Sequence, residues 1–472
     1  MLAGALLRAA LVIWCHGQPL YVVDEQQFSV IAGNLAERGA YASESDELTS
    51  IRPPLYPALV AVIYQLFGVD NFTAVRIVQA ILSLATVVVT YRLAGRLFDD
   101  RTALCSVAFV CFYPSLVFTT NLVLTETLFA LLLMVFCLFI QSAWRSNRVA
   151  WYVAAGATLG FASLTRSVLW LFPPFLAVFL WMALKECSPS RRAGQIAAAV
   201  LAFAVVLAPW SIRNSRLQQT FVAVDVMGGR NFMMGNYEHT PLYRAWDAIS
   251  VTGEESWYAV LARNEPRDKG ATQGQRDKLA MRYGLRYALS HPTLTAQRST
   301  IKFFNFWQLE REIIAGAQRG YWGVDQRIVV LLLAAVILGS YVAAMAGGIV
   351  GWFVLRPTDV RFHWFCLLVI GYVCLVHSAV FGHSRYHLPL MPLVLIYAGA
   401  AVVHRREIWR QRRSRRFCAA ALTYAILAVG WVWEVAWVER ARIQQLTTRQ
   451  FTSPAIASET RVHGHDSSPF YS

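Results

Sequence analysis

Long apolar runs dominate this 472-residue chain and restrict what it can fold into. Hydrophobic residues make up 56% of the sequence and charged residues only 15%, against roughly 25% charge in soluble domains. Most runs approach the ~20 residues that a helix needs to cross the hydrocarbon of a bilayer. The sequence therefore predicts an all-α polytopic membrane protein with about eleven spans, at about residues 2–17, 77–98, 103–120, 124–143, 150–164, 168–184, 195–209, 327–350, 362–381, 387–403 and 417–437.

Basic residues are distributed unevenly among the short loops between these runs. With the N-terminus in the cytoplasm, the short external loops hold only Arg166 and Arg385. The short cytoplasmic loops hold Arg92, Arg96, Arg101, Arg145, Arg148, Lys185, Arg191, Arg192, Arg356, Arg361 and seven arginines within 405–416. Because cytoplasmic loops are enriched in lysine and arginine, this asymmetry predicts a cytoplasmic N-terminus and an external C-terminus.

The same distribution accounts for the net charge of +15 without nucleic acid, for which the sequence carries no binding signature. The eight cysteines lie mostly inside apolar runs and indicate no disulfide framework. The first run, Leu2 to Trp14, lacks the basic start and small-residue cleavage site of a signal peptide. It is expected to be a short span, and a start codon upstream of Met1 would explain its shortness.

Two longer segments are expected on the external side. The first, residues 18–73, contains a predicted amphipathic helix at 25–37 and the apolar stretch 54–67. Counting 54–67 as a crossing would put the arginines that follow the next span outside, so this stretch is predicted to be an interfacial or re-entrant helix. The second external segment, residues 210–326, is long enough to be functional.

Apolar spacing in the second segment predicts amphipathic helices at 273–290 and 295–310. Both external segments belong to one membrane module, residues 1–437. The remainder, residues 438–472, is expected to be an extracytoplasmic tail that is partly disordered.

Three acidic residues fall at the external ends of the spans. Asp24 and Glu25 follow the first span, and Glu126 starts the fourth. Acidic groups close to hydrocarbon are costly and often functional. Structural alternatives exist for all three, since Glu126 could cap its helix and the other two could begin an amphipathic helix.

Basic residues on the same side form a second set. Arg166, Arg213 and Arg385 could bind phosphate through their planar guanidinium groups, or could simply reach lipid head groups. His383 and His387 are four residues apart, but a metal pair would need a third ligand and a helical setting. No metal or other cofactor is expected, and a divalent cation stays open as an alternative.

Five short motifs follow one another along the chain. They are Asp24-Glu25, Arg52-Pro53-Pro54-Leu55-Tyr56-Pro57, Leu124-Thr125-Glu126, Pro209-Trp210-Ser211-Ile212-Arg213-Asn214 and Arg385-Tyr386-His387-Leu388-Pro389. Over about residues 20–400, the chain resembles bacterial membrane glycosyltransferases of the GT-C fold. The branch that it resembles is that of the protein O-mannosyltransferases and the lipid A aminoarabinose transferases.

The resemblance implies a function and a set of site residues. Such enzymes move a sugar from a polyprenyl phosphate, with inversion, to an acceptor outside the cytoplasmic membrane. Asp24 then corresponds to the proposed catalytic base, with Glu25 and Glu126 as further catalytic candidates. Arg385 corresponds to a residue for the lipid phosphate, whereas Arg52 departs from the histidine that often precedes the Pro-Pro pair. The candidate substrate-binding residues are Arg52, Tyr56, Arg166, Arg213, Lys302, Arg385 and Tyr386.

The expected partners are a polyprenyl-phosphate-linked sugar, a lipid, glycan or protein acceptor, and the membrane. Neither the sugar nor the acceptor follows from the sequence. Aromatic residues of the long external loop could stack on sugar faces or anchor the loop at the interface: Trp246, Trp257, Trp307 and Tyr237. Two other functions stay open, a ligase or polymerase of lipid-linked polysaccharide and a transporter or flippase, although inverted repeats typical of transporters are not evident.

Overall fold

A computed structural model describes residues 1–44, 46–265, 270–324, 326–438 and 440. Within these residues the only β pairing is an isolated antiparallel bridge between Ala42 and Leu48. The helices are α1 Leu2–Trp14, α2 Val23–Arg38, α3 Leu55–Phe67, α4 Phe72–Leu97, α5 Asp100–Phe112, α6 Pro114–Thr119, α7 Glu126–Ser146, α8 Val149–Thr165, α9 Pro173–Ala183, α10 Pro189–Leu217, α11 Gly228–Gly235, α12 Trp257–Asn264, α13 Gln273–Ser290, α14 Pro292–Phe306, α15 Glu312–Gln318, α16 Arg327–Val354, α17 Val360–Ala379, α18 Met391–Val403, α19 Arg405–Arg410 and α20 Arg415–Trp433.

The chain is a multi-pass membrane protein, as its apolar runs predict. In the described part, seven helical segments are long and apolar enough to cross a membrane, at Phe72–Leu97, Glu126–Ser146, Pro189–Leu217, Arg327–Val354, Val360–Ala379, Ser384–Val403 and Arg415–Val438. Shorter apolar helices occur at Leu2–Trp14, Leu55–Phe67, Val149–Thr165 and Pro173–Ala183. The all-α membrane fold is thus confirmed, whereas the number of eleven crossings stays a prediction.

Some boundaries differ from those that the sequence predicts. The expected span 103–120 is two helices, because Pro114 has no N–H to continue the hydrogen bonds of α5. The expected helix 295–310 ends at Phe306, whereas α13 has the expected bounds. Beyond residue 440, the expected tail 438–472 lies outside the described residues.

Small residues allow two of the helices to pack closely. Gly156 and Gly160 lie one turn apart on α8 and face α10. A Cβ atom on Gly156 would come within 1.9 Å of the Ala199 carbonyl oxygen, and one on Gly160 within 2.8 Å of Val206. Helices in a membrane associate through this kind of small-residue contact, since no hydrophobic effect drives them together there.

Buried polar side chains join the segments at one end of the bundle. Arg76 on α4 donates hydrogen bonds to the backbone carbonyls of Cys15, Gln18 and Asn121, at 2.5 to 3.1 Å. Fully buried Glu25 accepts hydrogen bonds from backbone N–H groups, including that of Val123 at 2.7 Å. These contacts fix the start of α2 against the chain that leads into α7.

Candidate active site

Asp24 lies in the first turn of α2, just after the chain leaves α1. One of its carboxylate oxygens accepts a hydrogen bond from Nη2 of Arg52 at 2.5 Å, and the other accepts one from Nη1 of Arg385 at 2.8 Å. The side chain of Asp24 is 25% exposed. The carboxylate is therefore partly exposed even though both its oxygens have partners.

Glu126 is the first residue of α7, and its side chain is only 2% exposed. It pairs with Nε of Arg385 and, at 3.0 Å, with Nη1 of Arg166. Arg385 therefore bridges two carboxylates through different nitrogen atoms. The turn that carries Arg385, Ser384–Tyr386, directly precedes the segment that leads into α18.

The five side chains Arg52, Asp24, Arg385, Glu126 and Arg166 thus alternate in charge, and we call them the arginine–carboxylate chain. Three guanidinium groups face two carboxylates, which leaves one excess positive charge when all are ionised. The exposed fractions of the three arginines are only 16% to 19%, so water screens their charge weakly. Such a cluster favours an anion, and guanidinium groups match a phosphate in geometry as well as in charge.

The surroundings of Asp24 determine its basicity. Burial alone would raise the pKa of the Asp24 carboxyl, but the positive charges of Arg52 and Arg385 and their hydrogen bonds outweigh burial and lower the pKa. Asp24 is therefore an ionised but weak base while both arginines hold it. Any ligand that drew the arginines away would make it more basic.

Aromatic rings flank both ends of the arginine–carboxylate chain. The guanidinium of Arg52 lies 5.1 Å from the ring centroid of Phe28, and Oε1 of Gln27 accepts hydrogen bonds from it. The guanidinium of Arg166 lies 5.4 Å from the ring of Tyr386 and 5.7 Å from that of a phenylalanine on α7. These contacts stabilise the cations and restrict their orientation.

A small crevice begins beside Glu126. Its walls come from α4 to α7 and from the segment before α18, and they are Ser83, Thr86, Val110, Leu116, Thr119, Glu126, Thr127, Ala130, Leu388 and Pro389. Apolar walls with a few hydroxyl groups suit a hydrocarbon ligand whose polar end lies near the charged residues.

Two of the residues expected in the site make hydrogen bonds outside the arginine–carboxylate chain. The Glu25 carboxylate accepts hydrogen bonds from the N–H groups of Tyr21, Val22 and Val123. Burial raises the pKa of this carboxyl, while those N–H groups oppose the rise. Tyr56 is fully buried and donates a hydrogen bond to a glutamine of α4. Neither side chain contacts the arginine–carboxylate chain through these bonds.

Arg213 and Lys302 also make contacts elsewhere. Arg213 donates to the carbonyl of Thr49 at 2.6 Å and thereby ties the first external segment to α10. Lys302 is 1% exposed and donates to Oδ1 of Asn236 at 3.0 Å and to the carbonyl of Ala379 at 3.2 Å. Burial lowers the pKa of the Lys302 amine to about 7. Both residues connect the long external segment to the rest of the molecule.

Asp225 is an acidic residue near the site that the sequence analysis did not single out. Burial raises the pKa of its carboxyl, whereas hydrogen bonds from Ser167 and the Met227 N–H and the charge of Arg52 lower it. It follows an apolar stretch of the loop after α10 and is flanked by two valines. A carboxylate in such apolar surroundings is the sequence feature that could have indicated it. The structure brings Asp225 close to Arg52 and to the turn that follows Arg166.

The two histidines with i, i+4 spacing bind separate carboxylates. Nε2 of His383 lies 3.1 Å from Glu312, and Nε2 of His387 lies 3.1 Å from Glu310. In the described residues, no group of three or more histidine, cysteine, aspartate or glutamate side chains could hold a metal ion. Each histidine is two residues from Arg385, so both lie beside the arginine–carboxylate chain.

Comparisons with known proteins give two sequence matches. A family model described as dolichyl-phosphate-mannose-protein mannosyltransferase matches residues 51–212, about a third of the chain, which includes Arg52, Glu126 and Arg166. An undecaprenyl phosphate-alpha-4-amino-4-deoxy-L-arabinose arabinosyl transferase of Pseudomonas savastanoi pv. phaseolicola is 29% identical over 224 residues. That match covers 45% of this chain and 40% of the relative. Both matches confirm the resemblance that the motifs indicate.

Two solved structures also align with this chain. The apo ArnT of Cupriavidus metallidurans aligns with a TM-score of 0.42 and 20% identity, covering 85% of this chain and 75% of its own. The apo oligosaccharyltransferase of Archaeoglobus fulgidus aligns with a TM-score of 0.49 and 12% identity, covering 91% of this chain and 54% of its own.

Proposed function

We propose that this chain is an inverting glycosyltransferase that moves a sugar from a polyprenyl-phosphate donor to an acceptor on the extracytoplasmic side of the membrane. The observation that carries the proposal is the arginine–carboxylate chain, with its excess positive charge and its partly exposed Asp24. The names of the family model and the curated relative, both transferases of sugars linked to prenyl-type phosphates, support the same chemistry.

In the proposed reaction, Arg385 and its neighbouring arginines bind the donor phosphate. The bond between the anomeric carbon and the phosphate oxygen breaks, and the phosphate leaves with the electron pair. The acceptor hydroxyl attacks the opposite face of the same carbon, and its proton passes to Asp24. Arginines stabilise the charge that develops on the leaving group, so the reaction needs little general-acid help. No cofactor is part of this proposal.

The low pKa of Asp24 in this structure has a consequence for the order of events. Arg52 and Arg385 cannot serve the carboxylate and a phosphate fully at the same time. We expect donor binding to draw guanidinium groups toward the phosphate and so raise the pKa of Asp24. The base would then become competent only when the donor is in place, which would limit premature proton transfer.

The extracytoplasmic side is supported by the distribution of basic loops, which places Asp24 opposite the seven-arginine segment. The crevice beside Glu126 is a candidate location for the first part of the prenyl chain. The acceptor is left open as a lipid, a glycan or a protein.

The central test is the substitution Asp24→Asn in protein purified in nanodiscs. Transfer from an undecaprenyl-phosphate sugar should fall by about 10²–10⁴, because asparagine cannot take up the proton. Asp46→Asn is the matched control, since Asp46 pairs with Arg38 in the same external segment but is 63% exposed. Release of undecaprenyl phosphate is the measurement, and near-normal release by the Asp24 variant would refute the assignment of the base.

A comparison of surface glycans between a deletion strain and its parent would identify the acceptor class. Loss of a single sugar modification would support the transferase. Accumulation of unmodified glycan on its lipid carrier would instead indicate a ligase or polymerase.

A further inference from the structure

The segment that carries Arg385 has little regular structure of its own. It consists of the short turns Ser384–Tyr386 and Leu388–Leu390, between α17 and α18. Such turns have few repeating hydrogen bonds to hold them. Yet Arg385 must reach Asp24 and Glu126 at once through different nitrogen atoms. Something outside the segment must therefore hold its backbone in place.

His387 lies between these two turns and is fully buried, with both ring nitrogens in contact with an oxygen atom. Nδ1 lies 2.5 Å from the carbonyl oxygen of Phe306, and because a carbonyl can only accept, Nδ1 is protonated and donates to it. Nε2 lies 3.1 Å from Oε1 of Glu310. The imidazole is stacked against the rings of Trp307 and Tyr341, at centroid distances of 5.6 and 5.1 Å.

Glu310 completes the contact and connects it to another part of the bundle. Its side chain is 7% exposed, and its Oε1 also accepts a hydrogen bond from the hydroxyl of Tyr113 at 2.9 Å. Tyr113 lies at the break between α5 and α6. Oε2 of Glu310 is buried without a hydrogen-bond partner among the described residues. A carboxylate in this setting is costly for stability, so a folding role alone explains it poorly.

A second pair lies on the other side of Arg385. His383 contacts Glu312 at 3.1 Å, and its Nδ1 accepts a hydrogen bond from the backbone N–H of Arg385 at 3.2 Å. Two histidines that flank Arg385 are thus tied to two glutamates of one short segment, 310–312. The Glu312 side chain is 60% exposed, so this pair should contribute less than the buried one.

We infer that Glu310 and His387 form a buried positioning pair that holds Arg385 between Asp24 and Glu126. The inference rests on the proposed function, because it assigns the pair a role in the turnover of a phosphate-linked donor. The pair makes no hydrogen bond to either carboxylate of the arginine–carboxylate chain. It acts through the short backbone segment that connects His387 to Arg385. Breaking the pair should therefore lower kcat and raise KM for the donor, and both effects should depend on the presence of Arg385.

The test is a double-mutant cycle in nanodiscs with an undecaprenyl-phosphate sugar as the donor. Glu310→Met keeps the length of the side chain but removes the acceptor, and we expect kcat to fall about 10–100-fold, as for other supporting residues. Glu310→Gln retains an oxygen that can accept a hydrogen bond and should recover part of the loss. In an Arg385→Ala background, Glu310→Met should cause no further loss.

The matched control is His363→Leu. His363 is also a buried histidine, stacked on Trp352 at 3.9 Å and bonded to the Tyr397 hydroxyl at 3.0 Å, but it makes these contacts away from Arg385. Its substitution should change kcat by the same factor in the parent protein and in the Arg385→Ala background. An equal effect of Glu310→Met in both backgrounds, or an unchanged kcat, would overturn the inference.

Two further measurements keep the test decisive. If Glu310→Met does not fold, Tyr113→Phe removes one hydrogen bond to Glu310 and should lower kcat several-fold only when Arg385 is present. If the parent protein turns over no donor, the proposed function fails, and binding of undecaprenyl phosphate replaces turnover as the measurement. Glu310→Met must then weaken binding in the parent but not in the Arg385→Ala variant, and equal binding would overturn the inference.

Discussion

Among the three arginines of the arginine–carboxylate chain, Arg385 is the one that pairs with both carboxylates. It uses Nη1 for Asp24 and Nε for Glu126, so its planar group sets the distance between the two carboxylates. A lysine has a single charged nitrogen and could not hold both groups in the same arrangement. The identity of this residue should therefore matter beyond its charge.

Arg385→Ala should weaken donor binding and turnover strongly, and Arg385→Lys should restore only part of both. Binding of undecaprenyl phosphate and the rate of transfer are the two measurements. Arg38→Ala is the matched control, because Arg38 is paired with Asp46 in the first external segment but is 56% exposed. Full activity of the lysine variant would show that charge alone suffices at position 385.

Asp277 provides a prediction about pH. Burial raises the pKa of its carboxyl to about 6, although the N–H groups of Gly229 and Arg230 and the Arg230 charge oppose the rise. The native state therefore binds more protons than the unfolded state between about pH 4 and 6. The contribution of the protonated Asp277 carboxyl to the free energy of unfolding is complete below about pH 4 and is lost as the pH rises through about 6.

Asp277→Asn removes this dependence, since asparagine does not titrate. The melting temperature of the variant, relative to that of the parent, should rise from about pH 4 to about pH 7 and stay level at higher pH. The matched control is Asp247→Asn, an aspartate of the same external segment whose side chain is 42% exposed. A difference between Asp277→Asn and the parent that did not vary with pH would contradict the raised pKa.

At the scale of helices, apolar periodicity predicts where elements lie better than where they break. Helix α13 has the bounds that its amphipathic pattern predicts, and α2 extends the expected helix by only a few residues. The break at Pro114 was not predicted, because hydropathy continues across it. A proline in an apolar run can kink a helix or end it, and only the packing around it decides which.

For the site as well, the sequence predicts individual residues better than the contacts between them. The sequence indicates the charged residues one by one, from their position next to hydrocarbon and from the family resemblance. It does not indicate that Arg385 bridges Asp24 and Glu126, because these three residues come from distant segments. Nor does it show that Glu25 binds backbone N–H groups, since that depends on how α2 meets the chain before α7.

The contact between α8 and α10 gives a prediction at this scale. Gly156→Leu would place a side chain against the Ala199 carbonyl, where even a Cβ atom has no room, so the helices must separate. We expect the free energy of unfolding to fall by about several kcal/mol, because a side chain larger than the available space must displace packed backbone. The control is Gly339→Leu on α16, where nothing lies within 4 Å of the added Cβ. The melting temperature should fall for the first variant only.

Two groups of arginines lie at opposite ends of the molecule. The arginines of the site are paired with carboxylates at one end of the bundle. Those of the segment 405–416, which includes α19, lie at the opposite end of α18 and α20 from the site. The first kind suits an anionic ligand, and the second suits the anionic lipid surface of the cytoplasmic leaflet.

This separation leads to a prediction for the topology of the whole chain. Trp409→Cys lies in the arginine-rich segment and replaces a side chain that is 67% exposed. Glu254→Cys lies in the long external segment and replaces one that is 86% exposed. A maleimide that cannot cross membranes should label Glu254→Cys in spheroplasts and should label Trp409→Cys only after the membrane is opened. The unsubstituted protein gives the background from its native cysteines. Labelling of Trp409→Cys in sealed spheroplasts would invert the topology and put Asp24 and Arg385 in the cytoplasm, where an extracytoplasmic transferase could not use them.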